Sequence, residues 1–283
     1  MQIDTTKCVA CSNCVPVCPM GAIYVDSSVN RAKINLDECV ECGACSRMSN
    51  ETLNPHLVRS VRSLAKIFRF RFEPEPDVCP TSAFVIDDLP YPRIVRRIFS
   101  DPLIEHTSTG IKGRGTEEVK TNDVAHRVSV GEVGYVIEFG RPGVGVRFHH
   151  IQTMTMALAK LGVHFEGKNP ITHLMVDRSR GTLKEDLLHE KILSAIVELK
   201  TTTEEVPAIL ETVEKVSKTI DTVVALGVST RCDQTGNDPV LAPLLDDLGY
   251  DSERAKTNLG LGRVTNTRNG EGNISDEHSA SVR

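Results

Sequence analysis

Apolar residues in the second half of the chain recur first at a spacing of two and then at spacings of three and four. Every second residue from Val133 to Phe139 is apolar, which is typical of a strand with one buried face. From Ile151 to Leu161 the apolar residues lie three or four positions apart, as they do on one face of a helix. Residues 163–165 and 171–176 can supply the returning strand.

A second unit follows in the same order. Apolar residues alternate over 193–199, take helical spacing over 206–220, and end in a further strand at 222–228. The two units together predict a βαββαβ domain over residues 131–232. The first hundred residues do not continue this pattern, so the fold class that we expect is α+β with a separate amino-terminal domain.

Cysteines organise the amino-terminal part. The spacing Cys-x2-Cys-x2-Cys occurs twice, and Cys-Pro pairs follow at 18–19 and 79–80. Three thiolates at such intervals can converge on one face of a [4Fe-4S] cube, and in the bacterial pattern the fourth thiolate belongs to the other cluster. We therefore expect two clusters with crossed ligand sets: Cys8, Cys11, Cys14 and Cys79 for cluster 1, and Cys39, Cys42, Cys45 and Cys18 for cluster 2.

Two other uses of these cysteines fit less well. Structural zinc usually draws on two separated Cys or His pairs. Disulfides suit an even number of cysteines in a secreted chain, whereas this chain has nine and begins almost directly with a cysteine motif. The cysteines therefore predict iron-sulfur clusters in a reducing, cytoplasmic location.

The segment around each motif is duplicated, because residues 3–9 align with 34–40 and residues 22–24 align with 83–85. Here the chain resembles the bacterial two-cluster ferredoxins over roughly residues 1–90. That family closes its second motif as Cys-x3-Cys-Pro, whereas 33 residues separate Cys45 from Cys79. We place the ferredoxin domain at 1–100, with the insertion at 46–78.

The insertion contains a basic stretch, His56 to Phe72, with no acidic residue and with apolar residues at near-helical spacing. It predicts an amphipathic helix. One interpretation packs its apolar stripe on the ferredoxin core and leaves the basic side in water. The other makes Arg59, Arg62 and Arg69 a docking face for an acidic redox partner or an anionic ligand.

Residues 101–130 are expected to be a glycine-rich linker. Its segment 108–123 and residues 258–263 are similar to stretches of hydroxynicotinate reductase, a ferredoxin-containing enzyme that reduces an aromatic ring. The glycines match neither the dinucleotide fingerprint nor the P-loop, so a flavin is a further cofactor that the sequence allows without indicating it. Cys232 is the one thiol outside the motifs, and 233–283 is expected to be a partly disordered carboxy-terminal extension.

The stretch Phe139-Gly-Arg-Pro-Gly-Val-Gly145, running into a helix that ends at His164, resembles the opening of an ACT domain. The resemblance implies edge-to-edge pairing into a homodimer or hetero-oligomer and a small-molecule ligand near the turn. Arg141 stands where the family has an acidic residue. Gly143 belongs to this turn, and Arg141 and Arg147 are the candidates for holding an anionic ligand there. A generic strand-turn-helix unit without a ligand remains the open alternative.

Length and composition limit the number of domains and argue against some classes of function. A length of 283 residues favours two domains, and no apolar run reaches the length of a membrane span. A net charge of −5 with 4% aromatic residues and no tryptophan argues against a nucleic-acid binder.

We expect an iron-sulfur electron-transfer protein that serves a partner in a low-potential reductase system, and no catalytic residue is recognisable from spacing. Two alternatives stay open. One is a self-contained iron-sulfur or flavin-containing reductase of a small organic substrate, and the other is a regulator that senses redox state and a metabolite.

Overall fold

The structure is a computed structural model that describes residues 1–47, 52–70, 79–110, 112, 123, 126–141 and 143–250. Most of the predicted glycine-rich stretch 108–123 lies outside these residues, as do 258–263 and the rest of the carboxy-terminal extension beyond 250. Within the described ranges, no helix is long and apolar enough to cross a membrane.

The amino-terminal domain contains two small antiparallel sheets. Strand β1 (Gln2–Ile3) pairs with β4 (Phe84–Val85), and β2 (Ile23–Asp26) pairs with β3 (Arg31–Ile34). Among the described residues, the main apolar core here has six buried members, of which three are cysteines and the others are Ile23, Ala32 and Ala83. So small a core gives little burial energy, and metal binding commonly supplies folding free energy in such domains.

The predicted inserted helix is confirmed, with shorter bounds. After the single turn α1 (Ala44–Arg47), helix α2 spans Pro55–Ile67. Asn54 caps it, since its side-chain oxygen accepts hydrogen bonds from the backbone N–H groups of His56 and Leu57 at 2.9 and 3.3 Å. Proline at the first helical position suits the start of a helix.

The second domain has the predicted βαββαβ order. The elements from residue 94 onward are α3 (Ile94–Ser100), β5 (Glu132–Phe139), β6 (Val146–Arg147), α4 (Phe148–Ala159), β7 (His164–Phe165), β8 (Met175–Asp177), β9 (Thr182–Leu183), β10 (Lys191–Ile192), β11 (Ala195–Thr202), α5 (Val206–Ser217), β12 (Val224–Thr230) and α6 (Leu241–Asp247). The four-stranded antiparallel sheet has the strand order β12, β5, β11, β7, with helices α4 and α5 in the two crossings.

The prediction was wrong about residues 171–176. These residues form a 3-10 turn and strand β8, which pairs with β9 in a separate hairpin and does not join the main sheet. Only the two residues of β7 return beside β11. The segment between β7 and β11 therefore extends the predicted fold with two short strand pairs, because β10 also pairs with β6.

Helix α3 joins the two domains. Its Val95 and Phe99 lie in the core of the second domain, together with the inward face of β5 and helices α4 and α5. Arg96, on the same helix, is 4% exposed and turns to the amino-terminal domain. Its Nη1 donates to the carbonyl oxygens of Asp37 at 2.8 Å and Cys39 at 2.9 Å, and its Nε pairs with Glu190.

We predict that Arg96→Met destabilises the protein by about 3 kcal/mol, because it removes the donor for the partly buried carboxylate of Glu190 and for several carbonyl groups. The measurement is the urea concentration at which the iron-sulfur absorption is half lost. Arg178→Met, at an exposed position on the β8–β9 hairpin, is the matched control. An unchanged midpoint for Arg96→Met would contradict this account of the domain junction.

Candidate iron-sulfur sites

The structure gathers eight of the nine cysteines around two separate cavities. One cavity, which we call site 1, is bounded by four cysteines, and the other, site 2, is bounded by the remaining four. The fourth cysteine of each site comes from the Cys-Pro pair that follows the other motif. Site 1 has Cys8, Cys11, Cys14 and Cys79, and site 2 has Cys39, Cys42, Cys45 and Cys18.

The backbone repeats itself around the two sites. In the first motif Ala10 and Ser12 flank the middle cysteine with φ of 54° and 69°, and in the second Glu41 and Gly43 do so with 58° and 73°. This left-handed backbone conformation is uncommon for residues other than glycine. Their recurrence at matching positions shows that the loop geometry itself is duplicated, with successive N–H groups able to point to one anionic centre.

Hydrogen bonds to sulfur are duplicated as well. The backbone N–H of Ala22 donates to Sγ of Cys18 at 3.3 Å, and that of Ala83 donates to Sγ of Cys79 at 3.1 Å. In each case the donor lies four residues after the cysteine. Donation to sulfur stabilises the thiolate form, which is the form that binds iron.

Burial, by contrast, favours the protonated thiol form of the cysteines. It raises the pKa of Cys14 and of Cys45 to about 12, with neighbouring cysteine sulfurs adding to the effect. Iron binding must therefore displace a proton from each of these groups. Among the described residues, no three His, Cys, Asp or Glu side chains are gathered closely enough for a single metal ion. Four cysteine side chains at each cavity are the donor set that a [4Fe-4S] cube takes.

Helix α2 lies on the loop of site 1 with its basic side inward. The guanidinium of Arg59 donates to the carbonyl oxygens of Thr6 and Cys8, the latter at 3.1 Å. Arg62 donates to the carbonyl oxygen of Ala10, also at 3.1 Å. These arginines hold the cysteine loop, a role that the sequence analysis did not foresee.

The interpretation that packed the apolar stripe of this helix on the core is therefore wrong. Within the helix only Val58 is buried, whereas its other apolar side chains and those just after it are exposed. The loop of site 1 presents backbone carbonyl groups to α2. These groups accept hydrogen bonds from arginine side chains, whereas leucine side chains have no donor. The side chains that face outward are Leu57, Val61, Leu64, Ile67, Phe68 and Phe70, which we call the apolar face of α2.

A buried carboxylate organises the loop of site 2. Glu41 is 1% exposed and lies between two cysteines of that site. It accepts from the amino group of Met1 at 2.9 Å and from Nη2 of Arg93 at 2.7 Å. Burial alone would raise the pKa of this carboxyl, but these donors outweigh it and lower the pKa. Neither Glu41 nor Met1 was a predicted site residue, and no spacing rule could have found them.

The second domain packs beside site 2. A side-chain carbon at Gly143 would lie 3.2 Å from the carbonyl oxygen of Pro19, and one at Gly145 would lie 2.6 Å from Met20. Both residues also have positive φ. Glycine is therefore favoured at these positions by the backbone conformation and by the lack of space for a side chain. The turn that was expected to hold a ligand lies against Pro19 and Met20, and the ligand itself stays a prediction.

The two arginines of this turn also have protein partners. Arg147 binds Asp37 at 2.8 Å and Glu38 at 3.2 Å across the domain junction. Arg141 lies 3.4 Å from Glu138. Arg147 thus forms an ion pair between the second domain and the amino-terminal domain, and the expected role of both arginines as anion ligands stays a prediction. Cys232 is exposed and apart from both sites.

Comparison with known proteins supports the iron-sulfur assignment for the first part of the chain. Residues 1–48 match the family model of the 4Fe-4S dicluster domain. The match includes seven of the eight gathered cysteines, and Cys79 lies beyond it, after the insertion. Searches among curated proteins and among solved structures gave no match.

We predict that Cys79→Ala exposes Cys8, Cys11 and Cys14 to alkylation, while the cysteines of site 2 stay protected. Cys18→Ala should give the converse result, because each fourth cysteine lies at the site of the other motif. Peptide mass spectrometry after anaerobic alkylation measures both, and Cys232→Ala is the control that should leave both sites protected. Loss of protection at Cys39, Cys42 and Cys45 in Cys79→Ala would overturn the crossed arrangement.

Proposed function

We propose that the protein is an electron-transfer component of a low-potential reductase system, with one [4Fe-4S] cluster in each site. The observation that carries the proposal is the pair of four-cysteine cavities within one small domain. Bound clusters would supply one-electron chemistry at potentials set by hydrogen bonds to sulfur and by exposure. The chain contributes those donors, at Ala22 and Ala83, and the burial of each site.

The surroundings of the two sites suggest different roles. Site 2 is flanked by the second domain, whose glycine turn and Arg147 contact residues next to its cysteines. Site 1 adjoins α2, whose apolar face is in contact with solvent. We propose that a redox partner protein docks on this face, since an exposed apolar row on a helix is typical of recognition in a partner's groove.

The second domain is proposed to provide assembly. Strand β12 lies at the edge of the main sheet, and within the described residues its outer side has no strand partner. An open edge of seven residues can pair with a second copy or with another subunit, in the manner that the ACT-like turn implies. Because that turn packs on the amino-terminal domain, a metabolite-sensing role of the second domain is less well supported than assembly.

A second candidate function is a self-contained reductase. The observation in its favour is a cavity of about 590 Å³ that reaches Cys11 of site 1 and is large enough for a small organic substrate. A substrate that reoxidises the reduced protein without any other chain would support this candidate.

We predict that anaerobic titration of the isolated holoprotein takes up two electrons per chain, one per cluster, and that both are returned to an oxidised dye. Visible absorption and electron paramagnetic resonance monitor the two steps, and iron and sulfide analysis fixes the cluster content. Uptake of more than two electrons, with a flavin spectrum, would favour the reductase. Absence of reversible uptake by a protein with full iron content would contradict electron transfer.

We predict further that Leu57→Ser combined with Leu64→Ser removes the partner from the native complex without changing cluster content or electron uptake. The physical reason is loss of apolar area at the proposed docking face. Native mass spectrometry of protein isolated anaerobically from its own cells measures the complex, and Val130→Ser, another exposed apolar position, is the control. A complex that survives the double substitution would place docking elsewhere.

A further inference from the structure

The cavity of about 590 Å³ beside site 1 is lined mainly by polar and cationic side chains. One wall is the cysteine loop at Val9, Ala10 and Cys11, and the opposite wall is α2 with the turn that ends it. Among the described residues, no acidic side chain lines this cavity. Its cations, which we call the basic pocket, are Arg31, Arg59, Arg62, Lys66 and Arg69.

Three of these cations are fixed in place by the backbone. Arg31 donates to the carbonyl oxygens of Thr5 and Asn30 at 2.9 and 2.7 Å, and Arg59 and Arg62 hold the cysteine loop. A guanidinium has five N–H donors, so these bonds leave several for a ligand. Nε of Arg59 is buried and has no hydrogen-bond partner in the described part of the chain. Fixed donors of this kind lower the entropic cost of binding.

The other two cations do not support the fold. Lys66 and Arg69 are exposed, and neither side chain makes a hydrogen bond or ion pair with any described residue, although their backbones are joined by a hydrogen bond of 3.1 Å. Arg69 has φ of 59°, the left-handed conformation in which glycine or asparagine is favoured at the end of a helix. An arginine is uncommon at such a position, and here it places a positive charge in the pocket wall.

Five cations around one cavity, with no acidic side chain among its described lining residues, repel one another and disfavour the folded state. An anion bound among them would relieve this repulsion. We propose that the basic pocket binds a small organic polyanion that carries at least two carboxylate or phosphate groups, held by guanidinium donors against Cys11. The adjacency to a cluster rests on the proposed function, whereas the binding of the anion does not.

Pyrophosphate and citrate are the probes. We expect one molecule of at least one of them to bind per chain of the full-length holoprotein, by isothermal titration calorimetry under anaerobic conditions. Binding should weaken between low and physiological ionic strength, since the pocket is open to solvent. It should also raise the unfolding temperature, because the ligand binds only the folded state. The tighter probe distinguishes a phosphate ligand from a carboxylate ligand.

Two substitutions test the pocket. Arg69→Asn keeps a residue that tolerates the left-handed conformation, so folding is retained while the charge is lost. Lys66→Gln removes the other exposed charge. We expect each to weaken binding about tenfold, as loss of a charge-assisted contact does. Arg178→Asn and Lys160→Gln, at exposed positions of the second domain, are the matched controls and should bind as the unchanged protein does.

Location is tested by the phosphorus resonance of pyrophosphate, or for citrate by its proton resonances. These should broaden in the reduced, paramagnetic protein and much less in Arg69→Asn. Binding of neither probe to a protein with full iron content and normal electron uptake would overturn the pocket and leave the electron-transfer function intact. Equal weakening by the control variants would overturn it too, because the attraction would then be one of overall charge. A chain without iron-sulfur clusters would contradict the proposed function instead.

Discussion

Outward-facing carbonyl groups are the constraint on which the arrangement of this protein depends. A loop that turns three cysteine side chains inward leaves peptide carbonyls on its outer side, and these need donors. Arginines supply the donors at both sites, two from one helix and two from the start of another, and in each pair they lie three residues apart. The pairs are Arg59 and Arg62 on the loop of site 1, and Arg93 and Arg96 on the loop of site 2.

This shared solution explains why the two additions to the ferredoxin pattern lie where they do. The insertion between Cys45 and Cys79 carries the arginines for site 1, and the segment leading to the second domain carries those for site 2. Helix α3 buries Val95 and Phe99 in the second domain while Arg96 grips the cysteine loop. Each addition is therefore anchored by the loop that it supports, and the domains are held together through the same contacts.

Much of this could be predicted from the sequence. The cysteine spacing and its duplication indicated two sites, and the apolar periodicity gave the βαββαβ order, because both signals are local in the chain. The orientation of α2 could not be predicted, since periodicity defines two faces without saying which one finds partners. The roles of Arg96, Glu41 and Arg147 were hidden for a related reason. Their partners lie 40 to 110 residues away in the sequence, and no spacing rule connects them.

The crossing of the fourth cysteines has a consequence for the order in which the protein is made. Cys14 completes the first motif, but the site it faces also requires Cys79, which is 79 − 14 = 65 residues later in synthesis. Site 2, by contrast, has all its cysteines once Cys45 has been added. A ribosome therefore delivers the complete donor set of site 2 first, and the insertion prolongs the time for which the thiols of site 1 wait for their fourth member. The cysteine sets of the two sites are therefore completed one after the other as the chain is synthesised.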